Sequence, residues 1–270
     1  MNSTANTERG PLAGRSILVT RPVHQAGELC RMIEVAGGRA VRFPVLDILP
    51  ASDPTGVQAA LARLGDYDLA IFVSTNAVSH TLAALTPRPW PPQVAVAAVG
   101  SATARALTAQ GLEAIHPPHE FTSEALLALP ALQQMAGRRV LILRGDGGRE
   151  HLRAALLARG ARVDYLEVYR RAQSAADPTA LLAEWRRGID AVLLASGETL
   201  RQLQAIIGTL GEPLLRTATL VVAHARTAEL ARSLGAGGTI VVAADATDAA
   251  MLAAVTRHLA AGPARDAHGT

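Results

Sequence analysis

Short polar clusters follow six apolar runs of this chain, each where a helix-like pattern begins. They contain hydroxyls, glycines and arginines, and they lie at 21, 74–76, 100–103, 144, 196–198 and 224–227. Helix N-termini attract anions because their first N–H groups are unpaired and the helix dipole is positive there. The P-loop pattern and the glycine spacing of a dinucleotide site are both missing from the sequence, so a phosphate cradle is not indicated. Each Ser or Thr taken alone is better explained as a helix N-cap, but their clustering favours anion binding.

The basic residues are all arginine: the chain has 26 of them and no lysine. Schiff-base chemistry, covalent attachment of a cofactor through lysine and a Walker-type phosphate contact are therefore excluded. A guanidinium can grip a carboxylate with two parallel hydrogen bonds. Arginine therefore suits a carboxylate ligand, while a bias in nucleotide composition explains most of the absence of lysine.

Charge and cysteine content exclude further classes of protein. The net charge of +3 over 270 residues is too small for the basic stripe of a nucleic-acid binder. Cys30 is the only cysteine, which excludes an intrachain disulfide and a cysteine-based zinc site. The first residues lack the apolar core of a signal peptide, and no apolar run is as long as a membrane helix. We expect a cytoplasmic protein with no membrane or nucleic-acid partner.

An internal repeat organises the elements that carry the polar clusters. Four motifs recur in the same order at offsets of 122 to 124 residues, pairing Arg21 with Arg144, Gly38 with Gly160, Ser74 with Ser196 and Thr103 with Thr227. Each half alternates apolar runs with helical patterns, which predicts an α/β fold with two open parallel sheets. Ligands of such sheets bind at the carboxyl ends of the strands, where the polar clusters lie.

The apolar and helical patterns give approximate bounds. The predicted strands are 16–20, 40–48, 69–74, 94–99, 112–116, 139–143, 162–169, 190–195, 218–223 and 238–242. Predicted helices include 24–36, 101–110, 147–158, 198–208 and 246–260.

Seven stretches together resemble the uroporphyrinogen-III synthase family. They are LVTRP (18–22), FPVLDI (43–48), FVSTNAV (72–78), AVGSATARAL (98–107), LRGDGGREHL (143–152), GARVDYLEVYRR (160–171) and ARTAELA (225–231). The resemblance extends over nearly the whole chain. It is carried by the order and spacing of the seven stretches and not by any single one of them.

The resemblance implies two similar Rossmann- or flavodoxin-like α/β domains joined by a two-stranded connector. One domain would be discontinuous, from 12–43 plus 172–262, with 50–165 inserted as the other. The connector strands would be 44–49 and 166–171. Two tandem halves divided near 138 are the alternative division.

The family cyclises hydroxymethylbilane, a linear tetrapyrrole with eight carboxylates, to uroporphyrinogen III. The resemblance implies this small-molecule substrate, no cofactor, no metal and a monomer. The terminal hydroxyl of the substrate leaves as water, an azafulvene cation forms, and ring D is inverted through a spiro intermediate. Positioning of the substrate provides most of such catalysis, and one general acid assists departure of the hydroxyl.

The family places an important tyrosine in the connector, and the matching residue is Tyr169. A phenol is protonated at neutral pH and can donate its proton. The alternative interpretation is a tyrosine packed at a domain edge with its hydroxyl in water. The expected substrate-binding residues are Thr20, Arg21, Ser74, Thr75, Asn76, Gly100, Ser101, Thr103, Arg144, Gly145, Arg149, Ser196, Gly197, His224, Arg226 and Thr227.

The second half departs from the first at two of these places. His224 stands where Gly100 lies, and its side chain could narrow the site or contact a carboxylate. Gly197 and Glu198 stand where Thr75 and Asn76 lie in the first half. Glu198 would repel a carboxylate and is expected to face solvent or to cap its helix. A non-catalytic, tetrapyrrole-binding regulator with the same two-domain fold is the alternative function, and turnover separates the two.

Overall fold

The computed structural model describes residues 10–119, 122–148 and 150–260. The described chain forms two compact units. The first contains the residues up to Asp47 and those from Ala172 onward, and the second contains Ile48–Arg171.

The first unit is built on a five-stranded sheet with the order β10-β9-β8-β1-β2, in which all neighbours are parallel. Its strands are β1 (Ser16–Val19), β2 (Arg39–Arg42), β8 (Ala191–Leu194), β9 (Thr219–Val222) and β10 (Thr239–Val242). Its helices are α1 (Val23–Val35), α7 (Pro178–Gly188), α8 (Gly197–Thr217), α9 (Ala225–Ser233) and α10 (Asp248–Ala260). Alternate residues of β8 point into separate hydrophobic clusters, so this strand is buried on both faces.

The second unit repeats this plan with a sheet of the order β3-β7-β6-β4-β5. The strands of this sheet are β3 (Leu46–Pro50), β4 (Leu69–Phe72), β5 (Ala95–Ala98), β6 (Arg139–Gly145) and β7 (Arg162–Gln173). The first two residues of β3 and the last two of β7 fall within the bounds of the first unit. Its helices are α2 (Pro54–Ala62), α3 (Thr75–Leu85), α4 (Ser101–Thr108), α5 (Ser123–Ala128) and α6 (His151–Ala158). The pairs β4–β5, β4–β6 and β6–β7 are parallel, which confirms the predicted α/β class with parallel sheets.

Several predicted bounds were wrong for local reasons. The predicted strand 40–48 is two strands, because Pro44 lacks the N–H that would continue the ladder. Residues 112–116 form only a single bridge, from Ile115 to Ala97. The predicted helix 147–158 begins at His151, since Gly147 and Gly148 have φ of 66° and 117°. The helix predicted at 198–208 continues to Thr217 after a bend at Gly208.

The alternative division near 138 does not fit the sheet topology. It would separate β6 from β4, although Leu69 to Phe72 of β4 pair residue by residue with Val140 to Leu143 of β6.

Each sheet has an aspartate just before one of its central strands, at equivalent positions of the two halves, and this aspartate accepts hydrogen bonds from a neighbouring strand. Asp68 accepts hydrogen bonds from the backbone N–H of Arg139 (2.8 Å) and from Arg138 Nη1 (3.0 Å). Asp190 accepts from the backbone N–H of Ser16 (2.8 Å) and from Arg15 Nη1 (3.1 Å). This part of the repeat therefore supports the fold and lies away from the carboxyl edge.

The Asp68 contacts predict a pH-dependent contribution to stability. The backbone N–H of Arg139, followed by the Arg138 side chain, lowers the pKa of Asp68. A lowered folded-state pKa means that the contribution is fully present above the unfolded value of about 3.9 and is lost as the pH falls through the folded value. We expect Asp68→Asn to lower the thermal midpoint by about 2–4 °C at pH 7, with the difference shrinking once the pH falls below the unfolded value of about 3.9.

The matched control for this experiment is Glu113→Gln, which removes an exposed carboxylate from the same unit. Calorimetric scans of the three proteins across this pH range measure the effect. A deficit of Asp68→Asn that does not shrink as the pH falls below about 3.9 would contradict the assignment, because the contribution of the carboxylate must be lost as it becomes protonated.

Candidate active site

Tyr169 of β7 is buried, with 1% of its surface exposed, and its hydroxyl has two polar neighbours. Ser74 Oγ lies 3.1 Å from the phenol oxygen, and Arg171 Nη2 donates to that oxygen at 3.3 Å. The ring of His80 lies 5.6 Å from the tyrosine ring, centroid to centroid. The alternative interpretation, a hydroxyl in water at a domain edge, is therefore not what the structure shows, because this phenol is enclosed by side chains of its own unit.

A β-bulge turns Tyr169 into the core. The register between β6 and β7 shifts after Arg144, so that Arg144 pairs with Glu167 and Gly145 pairs with Tyr169. Val168 is the extra residue, and Val168 and Tyr169 are both buried although they are adjacent in the strand. Strict alternation would place Tyr169 on the same face as the exposed Glu167, so the bulge is what brings the phenol inside.

Gly145 gives the tyrosine ring its space. A Cβ atom at this position would lie 2.5 Å from Cε2 and 2.6 Å from Cζ of Tyr169. Cβ atoms essentially never approach another heavy atom this closely, so any other residue at 145 must displace the ring.

A cavity of about 260 Å³ lies beside Tyr169, within the second unit. Its polar wall is formed by Ser52, Asp53, Asp146, Glu167, Tyr169 and Arg170. The cavity is large enough for a small group and carries more carboxylates than guanidiniums, so it is not by itself a carboxylate-binding site.

Arg144, expected to bind substrate, already pairs with two carboxylates. Its guanidinium donates to Glu150 at 3.2 Å and to Glu167 at 3.3 Å, and it lies 3.9 Å from the ring centroid of Tyr165. Burial and the hydrogen bond to Glu150 raise the pKa of Tyr165. The buried Nε of Arg144 has no hydrogen-bond partner among the described residues. Binding of a substrate carboxylate here would require exchange of at least one of the two ion pairs.

Arg21 and Thr20 also have partners in their own unit. Arg21 forms an ion pair with Asp248 and donates through Nη2 to the carbonyl of Ala246 at 2.7 Å. Thr20 is fully buried, and its hydroxyl donates to the carbonyl of Leu193 at 2.7 Å. Both side chains connect the end of β1 to neighbouring elements.

Two of the predicted hydroxyls are helix N-caps. Ser74 Oγ accepts from the N–H of Ala77 at the start of α3, and Ser196 forms a capping box with Thr199 at the start of α8. Thr75 and Asn76 occupy the first turn of α3, and Gly197 begins α8. The N-cap interpretation is confirmed for these two serines.

The equivalent helices α4 and α9 begin differently. Their N-cap residues are Gly100 and His224, and neither helix has a side-chain cap among the described residues. Ser101 and Thr103 lie inside the first turn of α4, so the capping interpretation was wrong for them. Leaving these first N–H groups without a side-chain acceptor keeps them available to an anion.

Thr227 and its neighbours supply polar groups at the start of α9. The Thr227 hydroxyl is buried, with no hydrogen-bond partner in the described part of the chain, and Arg226 is exposed. Burial, followed by the charge of Arg226, lowers the pKa of His224. The lowered pKa favours the neutral imidazole, which can still offer a carboxylate a hydrogen bond. Glu198 is exposed, as expected.

Arg149, the remaining predicted residue, lies outside the described residues. Within the described ranges, no helix is long and apolar enough to cross a membrane, and no three or more His, Cys, Asp or Glu side chains are grouped to hold a metal. Sequence reasoning missed Arg171, and it considered Asp146 only as a possible acid with no link to other site residues. The spacing in VYRR could have indicated Arg171, because it follows Tyr169 by two residues and residues two apart on a strand share a face.

Known proteins match this chain over most of its length. Residues 27–253 match the family model described as uroporphyrinogen-III synthase HemD. The uroporphyrinogen-III synthase of Escherichia coli (strain K12) is 39% identical over 225 residues, which cover 82% of this chain and 92% of that protein. The synthase of Synechococcus elongatus is 34% identical over 208 residues, covering 74% and 78% of the two chains.

Solved structures show the same fold. A mutant uroporphyrinogen III synthase from the extremely thermophilic bacterium Thermus thermophilus superposes with a TM-score of 0.62 at 21% identity, covering 91% of this chain and 98% of that one. The enzyme from Helicobacter pylori gives 0.59 at 17% identity, covering 90% and 99%. Since the family model covers more than half of the sequence and the E. coli relative matches most of it, the chain belongs to the uroporphyrinogen-III synthase family.

Proposed function

We propose that this protein cyclises hydroxymethylbilane to uroporphyrinogen III, with inversion of ring D and loss of water. The observation that carries the proposal is the match of residues 27–253 to the family, supported by the 39% identity to the E. coli enzyme. No observation favours the non-catalytic regulator.

Tyr169 is the proposed general acid. A phenol O–H can donate a proton, and the Tyr169 oxygen lies within hydrogen-bond distance of Ser74 Oγ and Arg171 Nη2. Protonation of the terminal hydroxyl of the substrate lets it leave as water and gives the azafulvene cation, which ring D then attacks. One positioned acid of this kind contributes roughly 10²- to 10⁴-fold to a rate.

The substrate carboxylates would be bound at the carboxyl edges of the sheets. The starts of α4 and α9 support this role because both lack a side-chain cap among the described residues. The buried, unpartnered hydroxyl of Thr227 at the start of α9 offers a further donor within the described part of the chain. Arg226 is exposed and could reach an anion, whereas Arg21 and Arg144 would first have to leave their ion pairs.

The finer organisation is part of the same proposal. We propose that the two units act as the two domains of the family, 12–43 plus 172–262 and 50–165, with 44–49 and 166–171 as connector. A monomer acting in the cytoplasm without a cofactor fits the resemblance.

A coupled cyclisation assay tests the activity. Hydroxymethylbilane is generated in situ with and without the protein, the products are oxidised, and the isomers are resolved by chromatography. Uncatalysed closure gives isomer I, so we expect mostly isomer III when the protein is present. Isomer I alone, at the rate without protein, would contradict the proposal if circular dichroism shows folded protein. A non-catalytic binder would retain the tetrapyrrole unchanged.

A further inference from the structure

Arg171 places a cation next to the buried phenol of Tyr169. Nη2 donates to the phenol oxygen at 3.3 Å, and Cζ lies 5.6 Å from the centroid of the ring. Arg171 follows Tyr169 by two residues in β7, so both side chains project toward the same side of the strand.

Asp146 fixes the position of Arg171. The backbone N–H of Arg171 donates to Asp146 Oδ1 at 2.8 Å, and Arg171 Nη1 donates to the Asp146 carbonyl at 3.3 Å. The N–H of Asp146 in turn donates to the carbonyl of Tyr169 at 3.0 Å. These hydrogen bonds connect Tyr169, Asp146 and Arg171 to one another next to the bulge. Both the backbone and the side chain of Arg171 are bonded to Asp146, which keeps the guanidinium beside the phenol.

The contact sets the direction of the phenol proton. A guanidinium can only donate hydrogen bonds, so the phenol oxygen accepts from Arg171 and its own proton points elsewhere. Ser74 Oγ, 3.1 Å away, is the other polar neighbour, and it already accepts from the N–H of Ala77. The phenol proton therefore points toward Ser74 Oγ or toward a substrate group that binds next to Ser74.

The same contact stabilises the phenol after proton transfer. When the proton leaves, negative charge develops on the oxygen, and a fixed cation within hydrogen-bond distance favours that charge. The guanidinium does not have to move to stabilise this charge, because Asp146 already holds it beside the phenol oxygen.

We infer that Arg171 is a positioning residue for the cyclisation, which orients the Tyr169 hydroxyl as a proton donor and stabilises the charge left on its oxygen. The inference rests on the proposed function. It assigns to Arg171 an effect on the chemical step that acts through Tyr169 and does not require contact with the substrate.

A double-mutant cycle tests whether Arg171 acts through Tyr169. Arg171→Gln and Arg171→Lys are made in the wild type and in Tyr169→Phe, and kcat and KM are measured in the cyclisation assay. We expect Arg171→Gln to lower kcat about 10-fold with KM changed less than about 2-fold, and Arg171→Lys to restore most of the loss because it keeps the charge. In Tyr169→Phe, the glutamine substitution should change kcat less than about 2-fold further.

The solvent isotope effect is the second measurement. Removing the cation makes proton transfer more rate-limiting, so the ratio of kcat in H₂O to kcat in D₂O should rise in Arg171→Gln and stay unchanged when Tyr169 is already phenylalanine. The control variant is Arg162→Gln, which removes an exposed arginine from the start of the same strand. It should match the wild type.

Two outcomes would overturn the inference. A 10-fold loss that is about as large in Tyr169→Phe as in the wild type would make Arg171 a structural residue, as would equal losses for the lysine and glutamine variants. If Arg171→Gln unfolds, Arg171→Met, which keeps most of the length of the side chain and removes its charge, takes its place in the cycle in both backgrounds. Failure of the proposed function is visible separately, because the wild type would then form no isomer III.

Discussion

Tyr169→Phe is expected to lower kcat by about 100-fold, because it removes the proposed general acid and leaves the rest of the ring in place. The product that still forms should remain enriched in isomer III. Folding of the substrate, which decides the isomer, depends on the groups that bind its carboxylates, whereas the phenol assists only departure of the hydroxyl. Chromatographic separation of the isomers at several substrate concentrations measures both quantities.

The control for this substitution is Tyr67→Phe. Tyr67 belongs to the same unit, and its hydroxyl donates to Asp164 at 3.0 Å. The variant therefore also loses one hydrogen-bonded tyrosine hydroxyl, but one that does not contact Tyr169. It should retain wild-type kcat. A Tyr169→Phe variant with kcat within about 2-fold of the wild type would exclude the phenol as the acid.

Gly145→Ala is expected to impair both activity and stability. The added Cβ atom would lie 2.5 Å from Cε2 of Tyr169, so the ring must rotate or β6 must move away from β7. Displacement of the phenol from Ser74 and Arg171 should lower kcat about as much as Tyr169→Phe does. Overpacking of this kind also costs about 1–3 kcal/mol of the free energy of unfolding.

Gly27→Ala is the matched control for this glycine. Gly27 lies in α1, and a Cβ atom there would have no described heavy atom within 4 Å. Alanine is the better helix former by about 1 kcal/mol, so this variant should be as stable as the wild type or more stable. Thermal unfolding and the cyclisation assay compare the two variants. A fully active Gly145→Ala protein would show that the phenol need not occupy its observed position.

Elements with a clear sequence pattern were predictable. The strand AVLL is apolar at every residue, which indicates burial on both faces, and β8 is buried throughout. The repeat correctly related Ser74 to Ser196, because both serines follow a buried strand and begin a helix. Such local rules depend only on neighbouring residues, so the sequence is sufficient for them.

The placement of the candidate site depends on contacts that the sequence does not display. The bulge at Val168 reverses the alternation of β7, so no period-two pattern could place Tyr169 in the core. Arg21 and Arg144 were expected to be available to substrate, but Asp248, Glu150 and Glu167 pair with them. Two of these ion pairs join residues 227 and 23 positions apart, which spacing alone cannot anticipate.

The contact between Gly145 and Tyr169 also constrains how this sequence can evolve. A mutation that gives residue 145 a side chain is tolerated only if residue 169 has first become smaller, and that earlier step removes the phenol. Each single step away from the present pair therefore passes through an impaired protein, and the two positions form an epistatic pair across adjacent strands. A combinatorial library randomised at both positions and selected for tetrapyrrole synthesis should return glycine at 145 whenever it returns tyrosine at 169.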